Sequence, residues 1–150
     1  MKNTALVLTL TVFMAGAAVA QDGLISVKSS FDVVATANRL ESALDAGGIT
    51  RFARIDHAAG AQTIDQTLRP TLLILFGSPA MGTPLIQRSR SIAIDLPLKA
   101  LIWEDSAGQA WLSYNAPEEL ARRHGITEMA EVVQLMQQAL SDLAMAATQP

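Results

Sequence analysis

Asp56 and His57 stand side by side where a segment of alternating apolar and polar residues ends. Histidine is the side chain poised nearest neutral pH, and strand ends commonly border clefts, so this pair is the first candidate for acid–base or ligand-binding work. The other histidine, His124, follows Arg122-Arg123 and precedes Gly125. Two imidazoles with Asp56 or Glu104 would supply the nitrogen and oxygen ligands of a transition-metal site, although no ligand spacing ties His57 to His124. A hydrolase would use Ser78 or Ser113 as nucleophile, His57 as base and an aspartate to orient it. Neither serine sits in a nucleophile elbow, and a serine in a Gly-Ser-Pro turn ordinarily serves backbone hydrogen bonding. Trp103, Trp111 and Tyr114 cluster on or near a hairpin, where aromatic residues wall a ligand pocket or a subunit interface, or simply pack the sheet. Arg51, Arg54 and Arg69 present guanidinium forks suited to an anion. The segment from Gly77 to Thr83 lacks both the glycine spacing and the following Lys-Ser/Thr of a phosphate cradle, which excludes a nucleotide loop.

The elements that must position these residues follow from periodicity. Leu24 to Lys28 alternates as a half-buried strand does. Ser29-Ser30, with Asp32 three residues after Ser29, offers a helix cap. Phe31, Val34, Ala37, Leu40 and Leu44 then recur at helical intervals, and Gly47-Gly48 ends the helix. Thr50 to Asp56 alternates again, with Phe52 and Ile55 expected inward, and Leu72 to Phe76 is an apolar run of strand length. Gly77 to Arg90 reads as a loop containing a short helix capped by Thr83 with Pro84 first. Leu98–Glu104 and Gln109–Tyr114 flank Asp105-Ser106-Ala107-Gly108, a hairpin turn. Thr127 is expected to cap a long helix whose stripe is Met129, Val132, Val133, Met136, Leu140 and Leu143. Strand, helix, several strands, helix describes an α+β two-layer sandwich, with two helices over one face of a mainly antiparallel sheet. The other face is then wet or covered by a second subunit.

Composition narrows the function classes. Lys2, the apolar run Ala5 to Ala15 and the small-x-small sequence Ala18-Val19-Ala20 make residues 1–20 a signal peptide, cut before Gln21. The apolar run is shorter than the ~20 residues of a spanning helix, so no stable membrane anchor is expected after cleavage. Residues 21–150 would be a single periplasmic or secreted domain, large enough to bury roughly two thirds of the surface of its unfolded chain. The chain has no cysteine, which excludes disulfides, thiolate chemistry and cysteine-held metal clusters. Its formal charge is −3, and −4 once Lys2 is lost with the leader, which gives no electrostatic basis for binding nucleic acid. The pairs Arg88/Arg90 and Arg122/Arg123 read as solvated helix surface.

Six strings become specific when taken in order: Phe52-Ala53-Arg54-Ile55-Asp56-His57, Leu68-Arg69-Pro70, Phe76-Gly77-Ser78-Pro79, Gly82-Thr83-Pro84-Leu85, Asp95-Leu96-Pro97-Leu98-Lys99 and Leu112-Ser113-Tyr114-Asn115. Over residues 23 to 126 the chain resembles the bacterial domain of unknown function 302. The resemblance implies a TBP-like fold, strand–helix–four strands–helix, and often a homodimer, with no established activity and no known cofactor. Ser78 departs from the asparagine that the family commonly carries in that loop. TBP-like describes chain topology, and the acidic balance argues against borrowing DNA binding from it.

The expectation from sequence is therefore an exported, non-catalytic homodimer that binds a small molecule or a protein in a cleft between the sheet and the Gly77–Arg90 segment. Its expected ligand-binding residues are Asp56, His57, Arg69, Ser78, Trp103 and Tyr114. The alternative is a metal-dependent enzyme or metal-handling protein built on His57 and His124.

Overall fold

The computed structural model describes residues 18–150. The expected leader lies outside the described residues up to residue 17. Its last three residues belong to the first strand, β1 (Ala18–Gln21), where Ala18, Val19 and Ala20 pair with Val27, Ser26 and Ile25. Asp22 and Gly23, at φ 48° and 79°, turn the chain into β2 (Leu24–Lys28). Positive φ at both positions gives a two-residue hairpin the twist its strands need, and Asp-Gly tolerates it.

Helix α1 (Val33–Ala46) starts later than the serines suggest. Asp32 is its cap, accepting from the Ala35 N–H at 2.7 Å, while Ser29 is buried with its hydroxyl 2.6 Å from Thr36 Oγ1. That start puts Val33 in the core and leaves Val34 55% exposed, a correction to the expected stripe. Ala37, Leu40 and Leu44 bury as expected. Phe31 instead lies beneath the Arg39 guanidinium, 4.3 Å from it.

Strand β3 (Thr50–Asp56) is an edge strand, exposed along its whole length. Phe52 and Ile55, expected inward, are 56% and 41% exposed. A register shift between Arg51 and Ala53 leaves Phe52 without a partner on β4 (Thr71–Gly77). Such bulges re-aim a side chain and blunt a sheet edge. Between the two strands lies a short helix, α2 (His57–Gln62), capped by Asp56.

The segment after β4 is helical from Pro79 rather than from Pro84. Helix α3 (Pro79–Arg88) takes Ser78 as its cap and Pro79 at its first position, so Thr83 and Pro84 fall inside it. Proline is already set for a first turn, and Pro79 occupies that place. A 3₁₀ turn (Arg90–Ile94) and a cis Leu96–Pro97 bond lead into β5 (Leu98–Glu104), which pairs with β6 (Ala110–Asn115). Asp105 closes that hairpin by accepting from the Ala107 and Gln109 N–H groups, and Gly108 supplies φ 79°. Helix α4 (Pro117–Arg123) precedes α5 (Ala130–Thr148). Met129, not Thr127, occupies the α5 cap position, and the buried stripe runs through Val133, Met136, Leu140, Ala144 and Ala147.

Among the described residues the strands lie in the order β1-β2-β6-β5-β4-β3, every neighbour antiparallel. The expected α+β plan is β2-α1-β3-β4-β5-β6-α5, with α1 and α5 packed on one sheet face. The main core lies between them and inward residues such as Leu72, Ile74, Phe76, Ile102 and Leu112. A second cluster, Leu85, Ile92, Ala121, Ile126, Val133 and Met136, fixes α3, the 3₁₀ turn and α4 against α5.

Candidate functional site

Apolar residues of α3 must bury something, and Leu85 does so against the second core cluster. Beside it, between α3 and the end of the sheet, lies a cleft of about 360 Å³. Phe52 from the β3 bulge, Ile86 from α3, Leu96-Pro97 and Met136 form its main walls, and Ser78 lies on its rim. Ser78 caps α3 without its hydroxyl bonding the helix, so that hydroxyl is available at the rim. A smaller apolar recess of about 90 Å³ adjoins it and reaches Leu140 and Leu143. Ligand pockets commonly run from about 300 to 1,000 Å³, with apolar walls and few polar groups to fix orientation.

The sequence-derived candidates disperse. Asp56 spends its carboxylate on the Ala59 N–H at 2.9 Å as the cap of α2, and His57 stands exposed in the first turn of that helix. Arg69 is exposed, 3.5 Å from Glu104. Trp103 lies on the sheet face away from the helices, where its Nε1 donates to Ser113 Oγ at 2.9 Å. Tyr114 faces the opposite way and is only 4% exposed, part of the main core rather than a pocket wall. Burial, with the nearby Glu118 charge, raises its hydroxyl above the ordinary tyrosine value. Of the six ligand-binding candidates, Ser78 alone lines the cleft.

His57 and His124 are not brought together. Asp56 pairs with Leu72 at one end of β4, whereas Leu98, just after the Asp95 region, pairs with Phe76 at the other. Four residues of strand, roughly 13 Å at 3.3 Å each, separate those levels. Among the described residues no group of three histidine, aspartate or glutamate side chains is arranged to hold a metal. Ser113, the expected alternative nucleophile, is buried and shares its hydroxyl with Ser26 at 2.7 Å and with Trp103.

His124 has other partners. Its Nε2 lies 2.6 Å from Asp95 Oδ2 and its Nδ1 2.8 Å from Ser91 Oγ. Arg123 reaches both oxygens of Asp95, at 3.1 and 3.2 Å. Burial works to raise the Asp95 carboxyl, but the His124 hydrogen bond and the Arg123 charge outweigh it and hold the group below the ordinary carboxylate value. Sequence reasoning missed Ser91 and Asp95. Neither is near His124 in the chain, and only the packing of the 3₁₀ turn onto α4 joins them. Phe52 was missed for a similar reason, since a bulge leaves no mark on an alternating pattern.

The model of the family described as "Domain of unknown function DUF302" matches residues 25–143. A solved structure, the uncharacterized conserved protein DUF302 from Bacillus stearothermophilus, superposes with a TM-score of 0.75 at 15% identity, covering 83% of this chain and 98% of that one. The chain is also 41% identical over 116 residues to the fluoride-specific ion channel FluC 1 of Brucella suis biovar 1 (strain 1330), a match covering 77% of this chain and 46% of that protein. FluC 1 of Brucella abortus biovar 1 (strain 9-941) matches with the same identity over 43% of its length. The chain thus spans less than half the length of these curated relatives.

Proposed function

The chain belongs to the DUF302 family, and from that premise we propose that it is an exported homodimeric binding domain that holds a small, largely apolar molecule in the cleft beneath α3. The observation that carries this reading is the cleft itself. It has the volume of a ligand site, walls of Phe52, Met81, Ile86, Leu96, Pro97 and Met136, and the hydroxyls of Ser78 and Thr83 as polar groups in its lining. Filling it with a ligand would remove apolar surface from water at about 25 cal/mol per Å², with Ser78 setting orientation.

The homodimer rests on the sheet face that α1 and α5 leave uncovered. By strand alternation, Leu73, Leu75, Leu101, Trp103 and Trp111 point to that face. A contiguous apolar face on an antiparallel sheet is the surface a second copy would cover through a two-fold contact. The channel relatives support no second reading. An ion channel needs spanning helices or a closed barrel, no described helix here is long and apolar enough to span, and more than half of each relative lies beyond the match.

The test is titration with the neutral fluorophore 1-N-phenylnaphthylamine, using wild type, Ile86→Trp and Leu101→Arg. One probe per subunit is expected in wild type and Leu101→Arg, and none in Ile86→Trp, whose indole fills the cleft. Light scattering should report a dimer for wild type and a monomer for Leu101→Arg. Probe binding unchanged by Ile86→Trp would overturn the cleft reading, and a wild-type monomer would overturn the dimer.

A further inference from the structure

We infer that Ser91 is an activated nucleophile, with His124 as its base and Asp95 orienting that base, competent to take the acyl group of small activated carboxylic esters. The three side chains form one hydrogen-bonded line: Ser91 Oγ to His124 Nδ1 at 2.8 Å, then His124 Nε2 to Asp95 Oδ2 at 2.6 Å. Nucleophile, base and orienting carboxylate stand in the order that serine hydrolases of unrelated folds share, with the imidazole nitrogens exchanged, since there Nε2 faces the serine and Nδ1 the carboxylate.

The protonation pattern follows from the partners. An ionised carboxylate only accepts, so Nε2 carries the imidazole hydrogen toward Asp95 and Nδ1 keeps a lone pair for the Ser91 hydroxyl. Arg123 holds the second side of Asp95 and favours its charged form. Burial is graded in the direction the chemistry needs. The His124 side chain is 7% exposed and that of Asp95 14%, whereas Ser91 is exposed to an incoming ester. Ser89 Oγ stands 3.2 Å from Ser91 Oγ as a further hydroxyl at the nucleophile.

The frame is firm because both supporting elements share one core. Asp95 ends the 3₁₀ turn and His124 ends α4, while Ile92 of that turn and Ala121 of α4 bury into the same cluster with Ile126. A serine held by a packed turn loses little freedom when it reacts.

In the step itself, Ser91 Oγ bonds to the ester carbonyl carbon as its proton passes to His124 Nδ1, and Asp95 balances the imidazolium. Collapse of the tetrahedral adduct breaks the bond to the leaving oxygen, which takes the proton from Nδ1. Water then attacks the acyl-serine by the same route, gives a proton to Nδ1 and releases the carboxylic acid with Ser91 restored. Esters with good leaving groups suit a site whose activation rests on the base.

The experiment is labelling of the full chain with diisopropyl fluorophosphate, followed by intact and peptide mass, alongside p-nitrophenyl acetate turnover. One adduct on Ser91 is expected, absent in Ser91→Ala and slowed about a hundredfold or more in His124→Gln, the usual scale of general-base assistance. The pH profile of unmutated protein guards against a variant that fails to fold. A base-activated serine labels at a rate that levels off once the imidazole is neutral, and an ordinary hydroxyl labels in proportion to hydroxide. No adduct, an adduct elsewhere, or a rate that climbs with hydroxide throughout would overturn the assignment.

Discussion

Trp103 and Ser113 meet across the β5–β6 hairpin, the indole Nε1 donating to Ser113 Oγ at 2.9 Å on the sheet face opposite the helices. Ser113 is 1% exposed and also touches Ser26 Oγ at 2.7 Å. Ser113→Ala leaves both partners short of a hydrogen bond, at a cost of about 1 kcal/mol or more. Urea unfolding followed by tryptophan emission should show a lower midpoint at unchanged slope. An unchanged midpoint would mean that solvent replaces the lost bonds.

Asp95 gives the protein a predictable acid limb. Its folded-state carboxyl lies below the ordinary value, because the contributions of His124 and Arg123 outweigh burial. Its stabilising contribution is therefore fully present above the unfolded carboxylate value and is lost as pH falls through the lower, folded one. Asp95→Asn should lower stability at pH 7 and flatten the decline between about pH 5 and 2, the range in which a lowered carboxyl takes up its proton. Asp105 is shifted in the same direction, first by the Trp111 hydrogen bond and then by the Gln109 N–H. The acid limb should consequently shrink in Asp95→Asn without vanishing, as urea midpoints across that pH range would show.

Much of the scaffold was legible because it is written in periodicity. Leu24–Lys28, Leu72–Phe76 and the strands around Asp105-Gly108 each pair where alternation and turn chemistry put them. The errors sit where a tertiary contact overrides a local signal. Ser29 resembles a cap, yet Thr36 takes its hydroxyl inside the core and Asp32 caps instead. Pro84 resembles a helix start, yet Pro79 already provides one. The position of a cleft near Gly77–Arg90 could be read from the glycine and proline pattern, and its Phe52 wall could not. His57 drew attention as a residue type next to Asp56, but His124 is the histidine with partners, supplied by a turn some thirty residues earlier in the chain.

The N-terminal hairpin gives export a sharp readout. Cleavage before Gln21 would remove three of the four residues of β1 and expose β2 as a sheet edge. Expression in an exporting bacterial host should yield a mature chain whose intact mass begins at Gln21. A chain retaining Ala18–Ala20 would instead make β1 part of the working sheet and would remove the argument for export at that site.

Gly23 shows how tightly the hairpin meets α4. It holds φ 79°, and a Cβ there would stand 2.4 Å from Glu119 Cγ. Gly23→Ala combines a left-handed backbone cost of roughly 1–2 kcal/mol with displacement of Glu119 from its Arg122 pair. The expected loss of that size is measurable as a lower thermal midpoint, and Arg122→Ala should make the same substitution cheaper by freeing Glu119 to move.

Gly82 separates stability from binding. It lies inside α3, lines the cleft, and would place a Cβ 3.6 Å from Leu96 Cδ1, an ordinary contact. Replacing a mid-helix glycine by alanine gains about 0.5–1 kcal/mol, chiefly by restricting the unfolded chain. The added methyl also occupies volume between α3 and Leu96, where the proposed ligand would sit. Gly82→Ala is therefore expected to raise the thermal midpoint while weakening 1-N-phenylnaphthylamine binding. Higher stability with undiminished binding would place the ligand elsewhere on the protein, since no other consequence of this substitution restores the lost space.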